Sequence, residues 1–114
     1  MTENFDTLAN AGTSSLMPAG WAFFETGTSA NTLYTAGTGS STTGDTYSFG
    51  SAASAERALG GLQSGSVNPS YGASFINNTG GTVTNLAVAY TGEQWRLGAT
   101  GRTDRIDFQY SLAA

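Results

Sequence analysis

Apolar residues in this chain return at every second position and almost nowhere at the three-and-four spacing of a helix face. Successive side chains of a strand point to opposite faces, so period two is the imprint of a half-buried sheet. Ile106, Phe108, Tyr110 and Leu112 alternate with Asp107, Gln109 and Ser111, which predicts a strand with one wet face. Leu86, Val88 and Tyr90 alternate with Ala87 and Ala89, small enough for both faces of that strand to be covered. Tyr47 and Phe49 flank Ser48, while Tyr71, Ala73 and Phe75 share a face across Gly72 and Ser74. Residues 21–25 and 31–36 read as two further strands, and residues 4–8 open the set. The run Asn77-Asn78-Thr79-Gly80-Gly81 carries the chemistry of a hairpin turn. The one helical competitor is residues 51–62, where Ala52, Ala53, Ala55 and Ala58 permit a turn that Gly60-Gly61 then ends. Seven or eight short strands predict an all-β fold: an antiparallel β-sandwich of jelly-roll or related Greek-key type. Its expected core is Phe5, Trp21, Phe23, Phe49, Phe75, Leu86, Val88, Ile106, Phe108 and Tyr110.

Length and composition narrow the function. The 114 residues suit one domain over 1–114, large enough to bury a single core. Low charge with six Phe, five Tyr and two Trp is the reverse of a disordered composition. The chain has no Lys, His or Cys. That removes Ser-His-Asp and Cys-His catalysis, zinc fingers, disulfide frameworks, P-loops and Schiff-base chemistry. A net charge of -4 argues against nucleic acid or an anionic membrane as partner, since both require clustered cations. No apolar run approaches the roughly 20 residues of a membrane-spanning helix, so membrane insertion is not expected. The start, Met1-Thr2-Glu3-Asn4-Phe5-Asp6, is acidic and lacks the pattern of a signal peptide. The Gly/Ser/Thr-rich, Lys-free, acidic composition nevertheless reads as secreted or cell-surface, as an excised module would. The expectation is a non-catalytic protein.

The densest cluster of functional residue types is Glu93-Gln94-Trp95-Arg96. On a strand, Glu93 and Trp95 would share one face and Gln94 and Arg96 the other. An indole beside a carboxylate and a guanidinium is what a sugar-binding surface uses: an apolar plate for the ring and charged hydrogen bonds for its hydroxyls. Glu93, Trp95, Arg96 and Arg57 are therefore the ligand-binding candidates. The competing reading is a core Trp, with Arg96 or Arg57 pairing Glu93 or Glu56 structurally. No cofactor is implied beyond calcium, for which Asp45 in its loop beside Thr43 and Thr46 is the candidate ligand. Calcium takes 6–8 oxygens and usually more than one carboxylate, and no Asp-x-Asp-x-Asp pattern is present. Asp104 and Asp107 would face opposite sides of a strand and could not share an ion. A glycosidase would need two carboxylates across a cleft, which no spacing here supports. The stretch 37–44 reads as a long surface loop.

Several motifs in fixed order look familiar. Asn4-Phe5-Asp6-Thr7-Leu8, Met17-Pro18-Ala19-Gly20-Trp21 and Gly44-Asp45-Thr46-Tyr47-Ser48-Phe49-Gly50 come first. Glu56-Arg57-Ala58-Leu59-Gly60, Tyr90-Thr91-Gly92-Glu93-Gln94-Trp95-Arg96 and Arg105-Ile106-Asp107-Phe108-Gln109-Tyr110-Ser111 follow. The series resembles a jelly-roll-like module of large secreted bacterial proteins, found beside lamin-tail, nuclease or cadherin-like domains. The resemblance implies an extracellular, non-catalytic β-sandwich module without a defined ligand; with the aromatic-rich β architecture and the missing catalytic residues, the expectation is binding or adhesion with carbohydrate as ligand class. It also implies a loop feeding a strand at residues 57–62 in place of a helix. Modules of this type run longer, so the resemblance implies that the chain is the first part of one. A second chain, another copy or a donated strand would then complete the sandwich, making a structural subunit that assembles by strand or sheet-edge pairing.

Overall fold

A computed structural model describes residues 1–112. Among them the fold is all-β, with no helix and six strands. These are β1 (Thr13–Ser14), β2 (Trp21–Thr26), β3 (Tyr34–Gly37), β4 (Asp45–Phe49), β5 (Ala58–Leu62) and β6 (Asn68–Ala73). They form a four-stranded sheet, β1-β3-β4-β5, and a two-stranded sheet, β2-β6. Phe23 on β2 meets Tyr34 on β3 edge-to-face at 5.9 Å, so the sheets pack as the layers of a β-sandwich do. The Ala-rich stretch forms a loop that leads into β5.

One pairing departs from the antiparallel expectation. β3 and β4 run parallel, with Thr35 opposite Tyr47 and Gly37 opposite Phe49. Parallel neighbours usually need a long crossover. Here the strands are only four and five residues long, a rise of about 13 Å, which the seven-residue loop 38–44 can retrace. The other pairings are antiparallel.

The strands of the larger sheet sort their residues onto two faces. Tyr34, Thr46 and Ser48 point toward β2–β6 and are fully buried. With them lie Leu8, Val67 and two charged residues, Glu25 and Arg57, so the layer between the sheets is unusually polar. Tyr47 and Phe49 point the other way and stack at 5.0 Å. Gly60 lies under the Phe49 ring, where a Cβ would collide with it, so the ring can lie flat on the sheet.

Four of the ten expected core residues are withdrawn from water and six are not. Phe49 is buried and Phe5, Trp21 and Phe23 are half-buried. Phe75, Leu86, Val88, Ile106, Phe108 and Tyr110 are exposed. Residues 4–8 form a turn closed by the Leu8 N–H on the Phe5 carbonyl, not a strand. The 77–81 turn is present, with Asn77 Nδ2 donating to the Gly81 carbonyl at 2.7 Å. Its flanks do not pair, and the two strands expected at 86–90 and 106–112 have no ladder among the described residues. Alternation states which face a strand would bury; it cannot supply the partner strand that makes burial happen.

Candidate functional site

The segment 93–96 docks on the outer face of the four-stranded sheet. Trp95 lies parallel to Phe49, ring centroids 6.1 Å apart, extending the Tyr47–Phe49 stack to three rings. Gly39 makes this approach possible: its φ is +86°, and a Cβ there would strike the Trp95 carbonyl. The Arg96 guanidinium donates from one nitrogen to the Gly39 and Ser40 carbonyls, both at 3.3 Å. The Trp95 indole N–H donates to Glu93 Oε2 at 2.9 Å. Glu93, Trp95 and Arg96 are thus brought together, with Glu93 exposed and the other two half-buried. The indole N–H and one guanidinium nitrogen of Arg96 are used within the chain. What remains for a ligand is the free part of the indole, the Glu93 carboxylate and the rest of the Arg96 guanidinium.

Arg57 does not join them. It is 3% exposed and sits on the opposite, inner face of the sheet. Its Nε donates to Ser48 Oγ at 2.9 Å, and its terminal nitrogens reach the carbonyls of Ser48, Ser51 and Gly37. Its backbone N–H donates to Asp6 Oδ1, tying the N-terminal turn to β5. No acid lies within ion-pair distance of it among the described residues, so Arg57 pairs neither Glu56 nor Glu93. A guanidinium has five donors in a rigid fork, which is why it can staple three segments through carbonyls and a hydroxyl.

A second polar cluster was not foreseen. Glu25 is 5% exposed and accepts from the Asn31 N–H at 3.0 Å, the Thr46 N–H at 2.8 Å and the Thr46 hydroxyl at 2.8 Å. It therefore ties β2 to the approach of β3 and to the start of β4. Asp45 lies beside it, accepting from the Thr35 hydroxyl at 2.6 Å and the Thr46 N–H at 2.9 Å. Burial works to raise the Glu25 pKa, but the donors from Asn31 and Thr46, with Asp45, outweigh it and hold the carboxyl below its usual value. Asp45 goes the other way: burial first, then the neighbouring Glu25 carboxylate, raise its pKa against the pull of Thr35. The period-two rule does place Glu25 on the inner face with Trp21 and Phe23, and that was the available signal.

Asp45, the calcium candidate, spends its oxygens on the Thr35 hydroxyl and the Thr46 N–H, and no group of three or more acids gathers among the described residues. Asp104 and Asp107 pair instead with Arg102 at 2.9 Å and Arg105 at 3.3 Å on the surface.

No protein-family model, no curated protein and no solved structure matches this chain, so its likeness to the secreted modules rests on the sequence motifs alone.

Proposed function

We propose that this protein is a non-catalytic structural module that assembles through strand pairing by its C-terminal third. One observation carries the reading: in residues 86–112, the apolar members of both alternating runs are exposed, from 53% at Val88 to 90% at Leu112. Soluble proteins seldom leave so long a patterned apolar stretch in water, and an unpaired strand is a template for another chain. Each backbone hydrogen bond gained on pairing contributes about 1 kcal/mol net, and each Å² of apolar surface removed from water about 25 cal/mol. The secreted or cell-surface setting belongs to the same proposal and is supported by composition and resemblance. Light scattering on a sizing column tests the reading: the expected result is a concentration-dependent dimer or larger species. A strict monomer at high micromolar concentration would reject it.

A second reading, a glycan-binding adhesion module, is favoured by the half-exposed Trp95 with Glu93 beside its N–H. Trp95→Ala should then abolish glycan-array binding while leaving the circular dichroism unchanged. An array without hits, with and without calcium, would remove this reading.

A further inference from the structure

The assembly reading can be taken to a particular edge and a particular partner. The two-stranded sheet has two outer edges. Beside β2 runs its own following loop: Phe23, Phe24 and Glu25 form one cleft with Ala30, Asn31 and Thr32. The edge of β6 has no such cover. In the β2–β6 ladder Ala73 opposes Trp21, and the Ser74 N–H bonds the Gly20 carbonyl, so the even-numbered residues of β6 bond inward to β2. The odd-numbered residues therefore point their backbone groups outward: the N–H groups of Tyr71 and Ala73, and the carbonyls of Pro69, Tyr71 and Ala73. Pro69 has no N–H, so a strand added at this edge can take donors only from Tyr71 and Ala73.

The unpaired runs fit that edge by shape. β6 carries Tyr71 and Ala73 on its inner face and Ser70 and Gly72 on its outer face. Residues 86–90 offer Leu86, Val88 and Tyr90 to one face and only alanines to the other, as a strand beside β6 needs. Tyr90 stacks on Phe108 at 6.2 Å, so 106–112 travels with it. Its face of Asp107, Gln109 and Ser111 suits a new outermost strand. The exposed parts of these seven apolar side chains sum to on the order of 900 Å², against about 800 Å² per partner in a standard interface.

The chain's own β6 is out of reach while Trp95 stays docked. Tyr90 is five residues from Trp95, a span of at most about 18 Å. Trp95 lies over Phe49, on the face of the larger sheet that points away from β2–β6. β6 packs on β5 through Pro69 against Gly61. A route round the β5 edge must cross two strand spacings and a sheet separation, about 25 Å in all counting the height of the ring.

We propose that residues 86–90 of one chain pair with the free edge of β6 in a second copy of this chain, with residues 106–112 following as the next strand. The inference rests on the assembly reading and makes each two-stranded sheet four-stranded.

The absence of cysteine allows a clean test. Ser70→Cys and Ala89→Cys are made in separate chains of distinguishable mass, mixed, and treated with a short bis-maleimide. Both positions are exposed, and unchanged circular dichroism verifies folding. Mixed S70C–A89C dimers should dominate over either homodimer by at least fivefold. Val88→Lys, at an exposed position whose change cannot unfold the monomer, should raise the dimer dissociation constant more than tenfold. Dimers linked only A89C to A89C would keep the assembly reading and overturn the β6 edge. Internal cross-linking in a third chain that carries both S70C and A89C, without mixed dimers from the separate chains, would overturn the second copy. A monomer with no cross-link would remove both.

Discussion

At the residue scale the most consequential feature is a pair of carboxyls displaced in opposite directions. Glu25, held below its usual pKa, contributes stability that is present above the unfolded value and is lost as pH falls through the folded one. Asp45, held above its usual pKa, contributes stability that is present below the unfolded value and is lost as pH rises through the folded one. Acidification through the interval just above the usual carboxylate range should therefore relieve Asp45, whereas only below that range should it harm Glu25. Urea midpoints of Asp45→Asn and wild type should converge over that interval, because the variant lacks the relief. Glu25→Gln should flatten the loss at lower pH and cost about 2–4 kcal/mol near neutrality, since one of its oxygens becomes a donor facing donors. Arg57→Lys keeps the charge but not the fork. It should cost about 2–4 kcal/mol in the same titration, as it leaves buried carbonyls of Ser48, Ser51 and Gly37 without donors.

At the element scale, the 38–44 loop does two things. It reverses the chain so that β3 and β4 can lie parallel, and it offers carbonyls and a bare Cα to the 93–96 segment. Gly39→Ala should displace Trp95 from Phe49, because the collision is with backbone and cannot be relieved by a side-chain rotation. The expected readouts are a red-shifted tryptophan emission and a loss of about 1–2 kcal/mol, combining the strain of positive φ with the lost stacking. An unchanged emission spectrum would mean that the docking is not made in solution. The strands themselves need no such device: β2 and β6 alternate half-buried and exposed residues over most of their length, as the period-two pattern requires.

At the scale of the whole molecule, packing is uneven. The radius of gyration is 15.4 Å, against about 13 Å for a compact domain of this length. The difference reflects residues 74–112, which touch the two-sheet body chiefly through Trp95 and Arg96. Hydrogen exchange should divide the chain accordingly. Amides of β4, which lies between β3 and β5, should exchange slowest, and those of 82–112 within seconds in dilute solution. Protection of 86–90 that rises with protein concentration is the expected mark of pairing between chains.

The sequence by itself determined the class of the fold and the position of most strands. Trp21, Phe23 and Glu25 alternate with Ala22 and Phe24, and that pattern holds for β2 whatever surrounds it, because strand geometry sends successive side chains to opposite faces. It also brought out Glu93, Trp95 and Arg96 as a cluster, since residues so close along the chain meet locally. Tertiary structure decided the rest. Leu86 and Tyr34 look equally suited to a core, yet Leu86 is exposed and Tyr34 fully buried, because burial depends on a partner surface that alternation does not specify. The Glu25–Asp45 pair is 20 residues apart in sequence, and Arg57 meets Gly37 across a similar distance. Only the parallel return of β4 beside β3, under β2, brings such distant polar groups into one low-dielectric layer, where each must find a donor or acceptor or destabilise the fold.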